Sequence, residues 1–404
     1  MKPLTYIRVW LRDTWRIFKS ELSGVVHDGG VMIIFLVGGL CYPLLYNVIY
    51  YNGVLEDTPV AVVDMAGCKE SRRYLQKVDA TRELRVAYRC MNMLEAEQLM
   101  RERKVNGILY FPSDFGEKLA RMETATLSVY ADMSSFLYYK NLLMGVNYVM
   151  LDELGEIQVE RYAASGLGVQ EANQQVKPVL YEENMPYNRT MSYTLFFLSA
   201  ALLLVLQQTM FYGMSIRVGT MREENRSFAS LPDRLAGRGV GRVVLGRGAV
   251  YALIYLAIGL FVVYLVPAMF GFPQRGNYFD LLTLLLFYLL ACVFFCTAWS
   301  SLITRRETVF SMLLFISPVA LFLTGFSWPE CAFPVFWKYF AYLFPSTFGC
   351  RAFIDLNSAG ADLTAIRPEL IGLTVQAVVY YAVSCIAVHV ENWLLHRRGA
   401  AAAA

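Results

Sequence analysis

The chain has 404 residues, of which 56% are hydrophobic, 14% aromatic and only 17% charged, and its mean hydropathy is +0.41. That excludes a water-soluble globular protein, because a single core stops growing at a few hundred residues and ordinary chains carry roughly 25% charge. The net charge of +3 is small, and no nucleic-acid partner is expected.

Residues 1–24 read as an amphipathic interfacial helix. Leu4, Ile7, Leu11, Trp15, Phe18 and Leu22 recur at three-to-four spacing, and Arg8, Arg12, Arg16 and Lys19 form an offset row. Such a helix suits the inner membrane surface, or a face of a partner protein. The apolar run at 31–50 has the length that crosses roughly 30 Å of hydrocarbon. Basic residues precede it and no small-residue cleavage pattern follows, so it reads as a retained anchor. Residues 51–192 have ordinary soluble composition, with periodicity that switches between two and 3.6. Strands are expected at 59–64, 84–88, 107–111 and 126–130, and helices at 70–78, 94–103 and 115–121. A long helix should fill 135–164, and a segment near 176–181 should return to the membrane. This alternation predicts a small α/β domain.

Residues 193–396 hold five further runs, at 193–214, 249–270, 281–303, 309–327 and 370–391. The loop 215–248 between the second and third spans is strongly basic, with Glu223 and Glu224 set among arginines. After the fifth span, residues 329–350 are apolar but broken by Pro334 and Pro345, too interrupted for a further span. An outer re-entrant hairpin fits them better. The segment 397–404 is a tail whose five alanines read as foreign to the fold. Short loops on one side of this arrangement carry sixteen Lys and Arg, and those on the other side carry four, Arg275, Lys338, Arg351 and Arg367. The positive-inside rule then puts both termini in the cytoplasm and 51–192 outside. The expected fold is an α-helical polytopic membrane protein of six transmembrane helices with an inserted α/β extracytoplasmic domain.

Cys41, Cys292, Cys296 and Cys385 fall in spans, as small apolar residues. Cys68 and Cys90 share the outer domain, and Cys331 and Cys350 the last outer loop, so an oxidising compartment would allow either pair to bridge. Cys292 and Cys296 lie four apart with no His, Asp or Glu nearby, which excludes a metal site there. The chain has no Gly-x-x-x-x-Gly-Lys-Ser/Thr loop to cradle a triphosphate. Gly237, Gly239 and Gly241 follow no strand, and His27, His389 and His396 are scattered. No cofactor, metal or catalytic residue is expected in the chain itself. The spans look nearly free of ionisable residues, apart from His389 and Glu391 near one end. A transporter driven by protons or sodium needs such groups near the midplane, so the driving force should come from a partner.

Several motifs, in order along the chain, carry a family resemblance. "PVAVVDMAGCKESRRYLQKVDATRELRV" and "EAEQLMRERKVNGILYFPSDFGEKL" lie in the outer domain, and "RVGTMREENRSFASLP" follows the second span. "LGRGAVYAL" opens the third span, and "LTGFSWP" and "FPSTF" flank the outer hairpin. Together they resemble the type-2 ABC exporter permeases that have a large extracytoplasmic domain between the first and second spans. The chain departs from the pattern at Ser227 and Phe228, where the family has Gly-Thr, at Arg247, where Lys is usual, and at Asn184-Met-Pro186, where Asn-Pro is common.

The resemblance implies a dimer with a second permease copy or a paralogue, and a cytoplasmic ABC ATPase that holds the ATP and magnesium. It makes Arg222, Glu223, Glu224 and Arg226 the coupling segment, with Glu223 docking in an ATPase cleft. Read from the residues alone, Glu223 is equally a solvated charge balanced by Arg222 and Arg226. The resemblance makes Gly325, Pro329, Pro345 and Phe348 the outer hairpin and gate. The function expected is export of an amphipathic, lipid-like or drug-like compound across a bacterial inner membrane, with a periplasmic adaptor and outer-membrane channel as further partners. The alternative is a membrane-anchored sensor or assembly protein with a ligand-binding outer domain.

Overall fold

The computed structural model describes residues 3–176, 184–188, 191–224 and 239–403. They form two compact units, one of Met1–Gly53 with Pro186–Ala404 and one of Val54–Met185.

The first unit is helical. Its elements are α1 (Pro3–His27) and α2 (Gly29–Ile49), then α8 (Ser199–Glu223), α9 (Val240–Phe270), α10 (Tyr278–Ser300), α11 (Arg306–Leu323), α12 (Val335–Ala341), α13 (Pro345–Asn357) and α14 (Arg367–Ala403). Six of these, α2, α8, α9, α10, α11 and α14, are long and apolar enough to cross a membrane. They are not equivalent. In their most apolar stretches α8 is 89% and α10 is 72% buried in protein, whereas α2, α11 and α14 are 22%, 17% and 28% buried. Burial explains composition: α8 is central and can carry Gln207 and Arg217 because α13 and the α1–α2 region supply their partners, which lipid cannot do.

Within α2, residues Ile34–Cys41 are wound as a wide π-helix. Phe35 from this stretch sits edge-on against Tyr251 and Tyr255 of α9, with ring centres 6.2 and 5.1 Å away. Aromatic rings favour this arrangement.

The second unit contains β1 (Thr58–Asp64), α3 (Lys69–Asp79), β2 (Leu84–Cys90), α4 (Met93–Arg101), β3 (Gly107–Phe111), α5 (Phe115–Ala120), β4 (Ser128–Ala131), α6 (Phe136–Ala164) and α7 (Val169–Val176). The sheet order is β2-β1-β3-β4; β1 runs parallel to β2 and β3, and β4 is antiparallel to β3. Alternate residues of β1 serve different cores. Val60 and Val62 pack with Tyr74, Leu142 and Val146 of α3 and α6, while Ala61 and Val63 pack with Ala96 of α4. A sheet covered on both faces needs strands apolar on both faces, which is how β1 reads. Arg73 and Lys77 of α3 bind Glu153 of α6 at 2.8 and 3.0 Å, tying the two helices on that face.

The structure corrects two expectations. α8 continues to Glu223 and α9 begins at Val240, so the segment expected as a loop at 215–248 is helical at both of its described ends. The spans also hold more charge than expected, because Arg217, Arg242 and Arg247 lie inside these helices and find acidic partners. α14 continues as helix through residues 397–403. Of the return segment expected at 176–181, the portion beyond Val176 lies outside the described residues.

Candidate functional site

One end of the helical unit is basic and holds a buried ionic joint. Ile17, Glu21 and Val25 of α1 are four apart, so they share a face, and all three are buried. That face lies along α9. At Gly246 of α9 a Cβ would stand 3.0 Å from both Ile17 Cγ2 and the Thr14 carbonyl, so any larger residue would press α1 away. Asp13 meets Arg242 at 3.1 Å and Glu21 meets Arg247 at 3.5 Å. Glu21 also lies 3.9 Å from Arg217 and accepts a 2.8 Å hydrogen bond from the Tyr251 hydroxyl. A buried carboxylate alone would cost several kcal/mol, and these partners offset that. Leu11 and Trp15 lie off this face, each 56% exposed. Trp15 stacks on Phe18 at 5.1 Å, beneath the Lys19 ammonium. α1 thus has one face bound to α9 and an apolar row free for lipid.

At His27 the chain turns sharply into α2. Asp28 caps α2, its Oδ1 accepting from the Gly30 and Val31 amides at 3.1 and 3.4 Å. Its other oxygen lies 4.0 Å from Arg217, and Arg306 approaches Oδ1 at 3.9 Å.

Three of the four residues expected in coupling are described, at the end of α8. Arg222 donates to the Ser301 carbonyl at 2.9 Å and to the Ile303 carbonyl, and pairs with Glu391 of α14 at 3.4 Å. It therefore ties α8 to α14 and to the α10–α11 link. Glu391 is mostly buried in this pair. Glu223 is exposed, and its Oε1 accepts from the Arg306 amide at 2.9 Å. That amide opens α11, where the first N–H groups lack partners within the helix and Arg305 offers no side-chain cap. Glu224 is exposed beside a cavity of about 740 Å3 bounded by α1, α2, α8 and α11. Arg226 lies outside the described residues.

The hairpin forms a second site at the other end. Gly325 has φ +87°, a left-handed conformation that favours glycine, and a Cβ there would stand 3.2 Å from Arg351 Nε. Pro329 opens a short turn at Glu330–Ala332. Glu330 pairs with Arg351, lies 3.5 Å from Lys338, and accepts a 2.8 Å hydrogen bond from the Tyr342 hydroxyl. Burial pushes its carboxyl up, but the Tyr342 hydrogen bond and the Arg351 and Lys338 charges outweigh that and hold it below its usual range.

Between α12 and α13 the helix breaks, and Pro345 starts α13. The backbone groups freed there find side chains of other helices. Gln376 and Tyr380 of α14 donate to the Tyr342 and Leu343 carbonyls at 2.7 and 2.6 Å, and Gln207 of α8 accepts from the Ser346 amide at 2.7 Å. Phe348 stacks on Tyr342 and abuts Gly372 of α14. Pro345 and Phe348 thus belong to the buried arm α13, and Gly325 meets the same arm through Arg351.

All eight cysteines are unpaired in the structure. Cys68 caps α3, accepting from the Ser71 amide at 3.3 Å, while Cys90 packs in the core on the α4 face of the sheet. Cys350 is buried, its thiol donating to the Ala200 carbonyl at 3.3 Å, and Cys331 is exposed.

The sequence singled out Arg247 but not Glu21, Asp28, Arg217, Tyr251 or Gln207. A signal existed in part, since the spacing of Ile17, Glu21 and Val25 puts an acid on an apolar face. Its partners, more than 190 residues away, gave no local sign.

A family model described as "ABC-2 family transporter protein" matches residues 30–386, from the start of α2 to well within α14. No curated protein and no solved structure matches the chain. The match takes in all six membrane-crossing helices and the inserted α/β unit, and leaves α1 before it. The chain belongs to the ABC-2 family of transporter proteins, the membrane-spanning permeases of ABC transporters that work with an ATPase partner.

Proposed function

We propose that this permease is an exporter, moving an amphipathic, lipid-like or drug-like compound outward across a bacterial inner membrane. ATP and magnesium are held by a separate cytoplasmic ATPase, and a second permease copy or a paralogue completes the pathway. Both termini are cytoplasmic and the α/β unit is outside, a reading supported by the sixteen-to-four imbalance of basic residues between the two sets of loops.

The observation that carries the coupling role is the end of α8. This central helix finishes in Arg222 and Glu223, whose side chains engage α14, the α10–α11 link and the start of α11. A push on this end is felt by three other helices through direct bonds. Coupling through Glu223 has to be separated from its capping of α11, because losing a cap costs about 0.5–2 kcal/mol by itself. Glu223→Gln keeps an oxygen to cap α11 and removes the charge. Purified with its ATPase, the Gln variant should assemble normally but lose substrate-stimulated ATP hydrolysis. If only Glu223→Ala impairs stimulation, Glu223 acts as a cap and the ATPase contact lies elsewhere.

A further inference from the structure

The cavity at the basic end is large enough for a ligand, since small-molecule sites run from about 300 to 1,000 Å3. Its walls are unlike those of a pocket for an apolar compound. Glu21, Asp28, Glu224, Arg217 and Arg306 all line it, giving charge of both signs.

Two of these groups are incomplete. The Arg217 side chain is 9% exposed, yet it makes no hydrogen bond among the described residues. Its contacts are carboxylates at 3.9 and 4.0 Å, and its Nε has no partner. The Asp28 side chain is 7% exposed; Oδ1 is used in capping α2, but Oδ2 is buried without a hydrogen-bond partner. Buried charged groups are costly unless hydrogen-bonded. A cation and an anion that are ion-paired but short of hydrogen bonds, both lining one cavity, suit a ligand that carries both an N–H donor cation and an anion.

The surroundings indicate what else the ligand carries. Ile33 lies one turn beyond Gly29 and Gly30 along α2, and Phe310 one turn beyond Arg306 along α11; they are 63% and 62% exposed. Both helices run into the membrane from this end, so apolar surface begins about one turn deeper than the charged walls. That is the layout of a lipid, with its headgroup at the interface and its chains in hydrocarbon.

We propose that this cavity binds the headgroup of a phospholipid bearing a primary ammonium and a phosphodiester. The ammonium pairs with the Asp28 carboxylate, the phosphate accepts from Arg217 and Arg306, and the acyl chains leave past Ile33 and Phe310. Asp28 and Arg217 stand 4.0 Å apart, so paired charges of one headgroup reach both. The site is independent of which compound is exported; only its assignment to the inner leaflet rests on the proposed topology.

The test follows the thermal midpoint of the full chain in detergent. Dioctanoyl phosphatidylethanolamine, phosphatidylcholine, phosphatidylglycerol and free phosphoethanolamine are added in turn. The ethanolamine lipid should raise the midpoint by roughly 5 °C at a hundredfold excess over Kd. The choline lipid should give much less, because its quaternary ammonium has no N–H to donate, and so should the glycerol lipid, which has no cation. Asp28→Asn keeps an oxygen that can cap α2 and should abolish the preference for ethanolamine. Arg306→Gln, at a half-exposed site that tolerates change, should weaken the ethanolamine shift severalfold. Equal shifts from all three lipids, no shift from any, or an ethanolamine preference that survives Asp28→Asn would each overturn the proposal. A shift from free phosphoethanolamine as large as that from the lipid would overturn the assignment to lipid and point to a soluble zwitterion.

Discussion

Single side chains at the basic end do unusual amounts of structural work because they are buried and charged together. Tyr251 is 1% exposed and its hydroxyl donates to the Glu21 carboxylate. Tyr251→Phe removes one hydrogen bond to a charged acceptor and should cost about 1.5–3 kcal/mol, read as a fall in thermal midpoint of the purified permease. Glu330 behaves differently, because pH can reach it. Its folded carboxyl titrates below the ordinary value of 4.5, so the ionised form is the one the fold favours. Its contribution is fully present above about pH 4.5 and is lost as pH falls through the lower folded value. Hydrogen exchange over α12 should therefore be slow at pH 6 and should rise on acidification below pH 4.5 more than in Glu330→Gln; equal responses would show that Glu330 does not hold the hairpin. Neither residue was legible beforehand. Glu21 looks like an ordinary surface acid because pairing across 230 positions leaves no periodic trace, and Glu330 does because Lys338, Tyr342 and Arg351 follow it at spacings that share no single helical or strand period.

The elements were far more legible than their ends. Apolar runs of membrane length located all six crossing helices, and alternating periodicity found the four strands and the helices between them, because burial imposes those patterns locally. The ends of α8 and α9 were misjudged because hydropathy treats Arg217, Arg242 and Arg247 as leaving the membrane, whereas each is neutralised by an acid and stays in the helix. The hairpin was readable from Pro334 and Pro345, but the means of its burial were not, since Gln207 comes from α8 and Gln376 and Tyr380 from α14, with no shared motif. Packing between elements also gives the clearest mutational test. Gly246→Val places side-chain atoms where Ile17 and the Thr14 carbonyl already sit. Overpacking of this kind costs about 1–3 kcal/mol, and here it should prise α1 from α9 while the six spans remain. Proteolysis at Arg8, Arg12 or Arg16 should accelerate in that variant, and an unchanged rate would mean α1 is held by other contacts.

For the whole molecule, composition identified the solvent and the order of motifs identified the family, and the match over residues 30–386 establishes the membership. The driving force is borrowed, as the ATPase partnership of the family requires, but the argument from a lack of charge in the spans was incomplete. Charge is present; it is gathered at one end, in pairs, and spent on holding helices together. An alkali or proton cycle would need an unpaired group near the middle of the membrane, whereas these acids and arginines sit where α1, α8, α9 and α11 meet.

The pairing of α1 with α9 also has a consequence for the order in which the protein is made. Asp13 and Glu21 emerge first from the ribosome, and their partners Arg242 and Tyr251 follow 229 and 230 residues later. Through the synthesis of α2, the whole α/β unit and α8, the acids of α1 have no route to those partners. The exposed Leu11 and Trp15 give α1 a place to wait, flat on the membrane, until α9 is inserted. Assembly should then finish from the front: a chain truncated after α8 should insert with α1 open to protease, and extension through α10 should protect it.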